Sequence, residues 1–370
     1  MEKKYIIVSP YRSGLGNVLM SLEIIYAMAY ITGRTLIIPP SIYTLFLNSG
    51  YSKEGYPNYW DIFDRDCVSS EFDIIDYNDF CNFPEIKGEL SEYNWFDNLY
   101  KFSDSIFSEI KFPELFNGDV FGNPNICFIN GVEKYENNED FKNFLCNRHI
   151  IDLNRDEKYI YFDSTLFQNF FYYVYPGNKN LRNEMKRKVA KAVSYKKEFY
   201  DITNSKMGNI KSPFNAVHLR RNDFFIQYKH ALESVESDNK FLNVCESLFD
   251  KKLPLYISSD EFNRNFFNPV KDVFNVYFIE DLFENLTPLE KTIVEQIICS
   301  NAENFIGTYP STYTNRINVM RKSSNKKISK YLGINELKNP EEITSPLPWT
   351  KTSSKIWTWN MPAYPQSIYE

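Results

Sequence analysis

Phe214-Asn215-Ala216-Val217-His218-Leu219-Arg220-Arg221-Asn222-Asp223-Phe224 is a short apolar run that ends in a histidine, two arginines and an aspartate. A buried strand seldom closes on that much charge unless something anionic sits beyond it. Alternate side chains of a strand share a face. His218 and Arg220 therefore point one way, and Arg221 points the other way or leaves the strand end. A guanidinium is a planar fork that matches phosphate oxygens bidentately. The stretch reads as a phosphate or nucleotide-phosphate site at the carboxyl end of a strand, where open α/β sheets bind ligands. A solvated strand end with surface ion pairs is the competing reading.

Outward from this stretch, strands and helices alternate. Lys240 to Phe249 has a helical pattern, and Leu255 to Ser258 is a strand that ends in Ser259-Asp260. Asn275 to Ile279 is a further strand. Thr287-Pro288-Leu289-Glu290 carries three helix-start signals: Thr at the N-cap, Pro at the first helical position and Glu three residues on. That helix runs to about Asn301. Asn304 to Ile306 is a strand that opens into Gly307-Thr308-Tyr309-Pro310-Ser311-Thr312. Near the N-terminus, Tyr5 to Val8 is a strand and Ser9 to Gly16 a glycine-containing loop. Asn17 is a candidate N-cap. Val18 to Ile31 is apolar almost all round, which marks a buried helix. Gly33 stops it, and Thr35 to Ile38 is the next strand. The pattern predicts an α/β chain with two doubly wound, Rossmann-like parallel sheets. Asn180 to Lys197 is basic and helical in pattern. A polar stretch from Thr203 to Ser212 sets the expected domains at 1–205 and 206–335. A tail over 336–370 carries Trp349, Trp357 and Trp359 and is expected to pack back on the protein.

With 370 residues the chain exceeds the usual single-core size. The net charge of −6 argues against a general nucleic-acid binder. Cys67, Cys81, Cys127, Cys146, Cys245 and Cys299 form no C-x-x-C pair or zinc pattern. Free thiols in a reducing, cytoplasmic setting are the simplest expectation. No stretch approaches the roughly 18 apolar residues of a membrane span, and no leader peptide is evident.

Four groups carry candidate chemistry. Gly14, Gly16 and Asn17 lie between a strand and a helix, where glycine admits close backbone approach and a helix N-terminus offers amides to an anion. His218, Arg220, Arg221 and Asp223 form the second group. Ser311 and Thr312 lie beyond a strand end, where hydroxyls and amides suit a diphosphate. Asp260 ends another strand, placed to accept from ribose or base donors. Each also has a turn or cap reading. Asp64-Arg65-Asp66 matches an acidic metal motif only formally, and no metal site is expected.

Three segments together resemble a family. Gly14-Leu15-Gly16-Asn17-Val18-Leu19-Met20-Ser21, continued by Thr32-Gly33-Arg34-Thr35, is similar to the N-terminal signature of the GDP-fucose protein O-fucosyltransferase-like family. Val217 to Phe224 resembles its H-x-R-R-x-D-F motif, and Asn304 to Tyr313 its C-terminal F-I-G-T and S-T-F segment. The resemblance implies a GT-B architecture, two Rossmann-like domains facing a cleft. It implies GDP-fucose as donor substrate, no cofactor and no essential metal, and a hydroxyl acceptor on a protein Ser/Thr. A glycan acceptor of the α-1,2 or α-1,6 type is the alternative, and a non-catalytic nucleotide-sugar-binding relative a third reading. Arg220 or Arg221 would hold the β-phosphate and stabilise the leaving GDP, since charge develops there as the glycosidic bond breaks. His218 and Asp260 would contact the guanosine part, Ser311 and Thr312 the phosphate, and Gly14, Gly16 and Asn17 the diphosphate or sugar. Asp223 and Glu23 are candidate general bases. Two positions depart from the family pattern: Asn222 stands where many members carry Gly, and Val18 where they carry Arg. Another GDP-sugar therefore stays open as donor.

Overall fold

In a computed structural model of the chain, residues 2–8, 13–48, 51–86, 108–110, 158–162, 179–222, 224, 232, 234–308, 311–326 and 330–332 are described. They divide into two units. One gathers the described residues of Met1–Thr44 and Gly55–Lys196, the other those of Leu45–Glu54 and Lys197–Ser345. The 336–370 tail lies outside the described residues.

The first unit is built on five parallel strands, β1 (Tyr5–Ile7), β2 (Thr35–Ile38), β3 (Ile74–Asp76), β4 (Ser108–Ile110) and β5 (Tyr159–Phe162), in the order β3-β2-β1-β5-β4. Every residue of β1 and β2 is buried, as a central parallel strand covered on both faces requires. Helix α1 (Leu15–Thr32) links β1 to β2 and ends on Gly33, whose φ of 63° is the left-handed conformation that glycine adopts without strain. Its all-round apolar sequence is buried, with α2 (Lys179–Ala192) packed against it. α2 is amphipathic: Met185, Val189 and Ala192 are buried, while Arg187 and Lys191 reach Glu71 on its exposed side. The expected helix over Asn180 to Lys197 is thus two helices, α2 and α3 (Lys197–Met207), and α3 belongs to the second unit.

The second unit holds β6 (Asn215–Leu219), helix α4 (Asp238–Leu248), β7 (Leu255–Ser259), β8 (Val276–Tyr277), helix α5 (Pro288–Asn301), β9 (Asn304–Thr308), helix α6 (Thr312–Ser323) and β10 (Lys330–Leu332). The strands are parallel in the order β8-β7-β6-β9-β10. Chain order therefore reverses at β6, which lies between β7 and β9. Neighbouring residues of β6 feed opposite cores. Val217 and Leu219 pack with Phe241 and Cys245 of α4 and with Ile257. Ala216 packs with Tyr256, with Val294 and Ile298 of α5, and with Ile317 of α6. Each fully buried aliphatic side chain contributes about 1.5–3 kcal/mol, so both faces of the sheet are closed.

The start of α5 follows the sequence signal. Thr287 Oγ1 accepts from the Glu290 amide at 3.2 Å, and Glu290 Oε2 accepts from the Thr287 amide at 2.8 Å. Such a cap stabilises a helix by about 1 kcal/mol. The other end is closed from a distance. The buried Arg321 of α6 donates to the carbonyls of Ser300, Ala302 and Glu303 at 3.3, 2.6 and 3.0 Å. It satisfies groups that a helix terminus otherwise leaves orphaned. The expected strand over Asn275 to Ile279 keeps only β8, because Ile279 already opens a short helix, Ile279–Leu282.

Candidate active site

The carboxyl end of β6 is the switch point of the second sheet, the place where an open α/β fold forms a crevice for a ligand. Beyond Leu219 the chain makes a turn that is hydrogen-bonded to both neighbouring strands. The Arg220 amide donates to Thr308 Oγ1 at 2.9 Å, and the same hydroxyl donates to the His218 carbonyl at 3.1 Å, joining β6 to β9. Ser259 Oγ donates to the Leu219 carbonyl at 2.7 Å, joining β6 to β7. The Asp260 carboxylate accepts from the amides of Arg221 at 2.7 Å and Asn222 at 3.3 Å. It also pairs with Arg220 Nε at 3.3 Å. The Asn222 side chain returns a hydrogen bond to the Asp260 carbonyl.

The two arginines part company here. Arg221 shares the face of Val217 and Leu219. Its guanidinium lies over Phe266 at 3.9 Å from the ring centroid and donates from Nη1 to the carbonyls of Val235 and Glu236 at 2.8 and 3.2 Å. Its Nε pairs with Glu261 at 2.7 Å. Arg221 thus ties the turn to the segments that carry Glu261, Phe266 and Val235. Arg220 shares the face of His218, pairs with Asp260 and lies over Phe224 at 5.5 Å.

His218 is buried, and its Nδ1 lies 2.7 Å from Thr314 Oγ1 of α6. The Tyr313 ring packs against it with centroids 4.6 Å apart. Burial, and then the charge of Arg220, push its imidazole down to about 3. It is neutral near pH 7 and offers one donor and one acceptor. The approach of α6 that permits this bond depends on Gly307, the β9 partner of His218. A Cβ there would lie 2.3 Å from Thr314 Cγ2.

Ser311 is the N-cap residue of α6, is buried, and makes no side-chain cap bond. Thr312 opens the helix. The α6 N-terminus thus follows β9 directly at the switch point, where the helix dipole favours an anion. His218, Arg220, Asp260, Ser311 and Thr312 are brought to one edge of one sheet. Asp223 lies outside the described residues.

In the first unit, Gly14, Gly16 and Asn17 follow β1, at that sheet's own switch point. Asn17 is not the N-cap expected from sequence. Ser13–Gly14 is extended, α1 begins at Leu15, and Asn17 sits in its first turn with Nδ2 donating to Ser13 Oγ at 2.7 Å. Gly14 occupies the cap and has no side chain to cover the first amides. Glu23 is wholly buried within α1. Asp64 is an N-cap, accepting from the Cys67 amide at 3.0 Å, and Arg65 pairs with Asp76. Among the described residues no group of three His, Cys, Asp or Glu side chains could hold a metal ion.

Thr308, Thr314, Glu261 and Phe266 escape sequence reasoning because their roles arise only from strand register and helix approach. Thr308 has the clearest signal, a hydroxyl one residue after the strand glycine. Glu295 is also unforeseen. This α5 carboxyl is buried behind the same sheet, 3.4 Å from Tyr256 Oη. Burial raises it to about 7, against the charge of Lys291.

The chain is similar to known proteins. A 113-residue stretch is 30% identical to GDP-fucose protein O-fucosyltransferase 2 of Caenorhabditis elegans, covering 29% of this chain and 26% of that relative. The chain thus matches only about a quarter of that relative's length. A crystal structure of POFUT1 in complex with GDP-fucose is similar in fold, with a TM-score of 0.50 at 13% identity over 90% of this chain and 99% of that one. The fucosyltransferase NodZ from Bradyrhizobium gives a TM-score of 0.48 at 15% identity, over 86% and 94% of the two chains. The sequence matches the family described as GDP-fucose protein O-fucosyltransferase over residues 5–324, a span that contains both parallel sheets up to the end of α6. With the arginine turn, the glycine-backed histidine and the two uncapped helix starts all inside that span, the chain belongs to the GDP-fucose protein O-fucosyltransferase family.

Proposed function

We propose that the protein is a GT-B glycosyltransferase that moves fucose from GDP-fucose to a hydroxyl acceptor, with the donor bound at the carboxyl edge of the second unit's sheet. One observation carries the assignment of roles. Of two adjacent arginines at the switch point, Arg221 lies with Glu261 and Phe266 on one face of the sheet, while Arg220 pairs with Asp260 on the face of His218, the side from which α6 packs.

In the transfer, the bond between the anomeric carbon and the β-phosphate oxygen breaks and its electron pair stays on the phosphate. The acceptor oxygen bonds to the anomeric carbon from the opposite side, inverting it, and gives its proton to a carboxylate on the acceptor side or to water. The protein's task is to stabilise the negative charge that grows on the leaving diphosphate. Arg220 and the amides and hydroxyls at Ser311 and Thr312 supply that stabilisation without a divalent cation. Asp260 acts as a positioning residue, holding the amides and the guanidinium of the turn. Neutral His218 contacts the nucleoside through its second ring nitrogen. Asp223 is assigned as the acceptor-side carboxylate. A protein hydroxyl, expected on Ser or Thr, is the favoured acceptor class, because the matching family is described as GDP-fucose protein O-fucosyltransferase, and a glycan hydroxyl is the alternative.

The test is donor turnover in Arg220→Ala and Arg221→Ala, each with its melting temperature. Arg220→Ala is expected to lose about 100-fold or more in kcat, a loss that persists when turnover is measured well below its melting temperature. Arg221→Ala is expected to lose melting temperature. Unchanged turnover in Arg220→Ala sinks the role. Activity is expected to survive EDTA, and a thermal shift is expected with GDP in preference to UDP or ADP.

A further inference from the structure

The turn after β7 reverses the usual burial preference. Asp260 is 6% exposed and the Glu261 side chain 13%, while Phe262 is 57% exposed. Carboxylates normally face water and phenyl rings the core. The two acids are explained: Asp260 holds the Arg220 turn and Glu261 pairs with Arg221. Phe262 is not explained by packing.

The backbone on either side of Phe262 is fixed. The Glu261 amide donates to Ser259 Oγ at 3.1 Å, and the Asn263 amide to Glu261 Oε1 at 2.9 Å. Asn263 Oδ1 then caps the short helix Arg264–Phe267, accepting from the Asn265 amide at 3.2 Å. A rigid turn therefore holds an aromatic ring in water at the carboxyl edge of the sheet. The strand it follows, β7, is the neighbour of β6 on the side away from β9. In a nucleotide-binding α/β sheet the diphosphate lies at the switch point and the nucleoside extends across the edge of that second strand.

We propose that Phe262 is the stacking platform for the purine base of the donor nucleotide, and so an affinity-determining residue of the donor site. The inference rests on the assignment of the donor site to this edge. A base has an apolar face that an exposed ring covers at no cost in hydrogen bonds, and the fixed turn leaves little entropy to lose on binding. The ring serves the base alone. The diphosphate is held by the arginine turn and the α6 N-terminus.

Calorimetric titration of the full chain with GDP and with inorganic pyrophosphate separates these contributions. Phe262→Ala is expected to weaken GDP about 5- to 100-fold, the range of one base–aromatic stack, and to leave pyrophosphate unchanged. Phe262→Trp is expected to restore GDP binding. Because the ring is exposed, neither substitution threatens the fold, and an unchanged melting temperature checks this. GDP affinity in Phe262→Ala equal to that of the natural chain overturns the stacking role, as does an equal loss for pyrophosphate. A natural chain that binds pyrophosphate but shows no gain for GDP overturns the donor assignment itself.

Discussion

Replacing Glu295 by Gln should change the pH dependence of stability in a way fixed by two buried groups. Glu295 ionises only at about 7 in the folded chain, against an ordinary 4.5, because burial disfavours its charge more than Lys291 helps it. Between these values the unfolded chain has released the proton and the folded chain still holds it, so stability falls as pH rises. At about 1.4 kcal/mol per pH unit the full effect is at most about 3 kcal/mol. His218 slopes the other way. Its folded value is pushed from 6.5 to about 3, so as pH falls below 6.5 the unfolded chain takes up a proton that the folded chain refuses. That costs at most about 5 kcal/mol by about pH 3. Between pH 4.5 and 6.5 the two slopes oppose each other, and together the pair contributes a nearly level profile. Glu295→Gln removes one slope. The assay is the unfolding free energy of variant and natural chain by urea titration from about pH 4 to about pH 8.5. The difference cancels every other titrating group. It should shift in favour of the variant by about 3 kcal/mol from the acid to the alkaline limit, and the variant alone should lose stability steadily below pH 6.5. A difference that does not move with pH refutes the reasoning. So does one that moves in favour of the natural chain.

Two further outcomes test the frame around the site. Gly307→Ala places a Cβ 2.3 Å from Thr314 Cγ2, and the short branched side chain of Thr314 must be displaced. A loss of about 1–3 kcal/mol is expected, partly recovered in Gly307→Ala/Thr314→Ser, and a melting temperature equal to the natural chain's counts against the close approach of α6. Arg321→Met keeps the bulk but strips three carbonyls of a charged donor. With each buried group left unpaired costing about 1–3 kcal/mol, a loss of about 3 kcal/mol or more is expected in urea titration, and a neutral result would show that water replaces the guanidinium.

What can be read in the sequence is what local pattern determines. The continuous apolar runs at Ile6, Leu36 and Val217 mark central parallel strands, and Thr287-Pro288-Leu289-Glu290 marks a helix start to the residue. The motif residues His218, Arg220 and Asp260 stand at strand ends, and so the edge of the sheet is visible. What escapes is anything decided by approach between elements. Asn17 has the chemistry of a cap, yet the extended Ser13–Gly14 carries the helix start back to Leu15. The basic stretch after Asn180 keeps a helical pattern throughout, yet the helix stops after Ala192 and restarts at Lys197. Contacts with a distant segment interrupt it: Tyr195 is buried and bridges to Phe63, and the Lys196 amide donates to the Ile62 carbonyl at 3.0 Å. Thr314 lies 96 positions from the His218 it holds, and Glu261 lies a full strand and helix beyond Arg221. Over such separations a single sequence carries no pairing signal.

The two arginines show why that missing information is functional. Register pairs Ser258 with His218 and Ser259 with Leu219, and beyond the last bonded pair the same register sets Asp260 beside Arg220 and Glu261 beside Arg221. Both strands alternate, so each cation meets its own carboxylate on its own face. Without the acids two guanidiniums at adjacent positions would repel. With them, the turn is stable in the absence of ligand. The acids are not equivalent, however. Glu261 gives its charge to Arg221, which also stacks on Phe266 and is thereby kept in the fold. Asp260 divides its charge among two backbone amides and one guanidinium nitrogen. Arg220 is thereby set on the face of His218, the side from which α6 packs, and a one-residue shift in register would set each carboxylate against the wrong face.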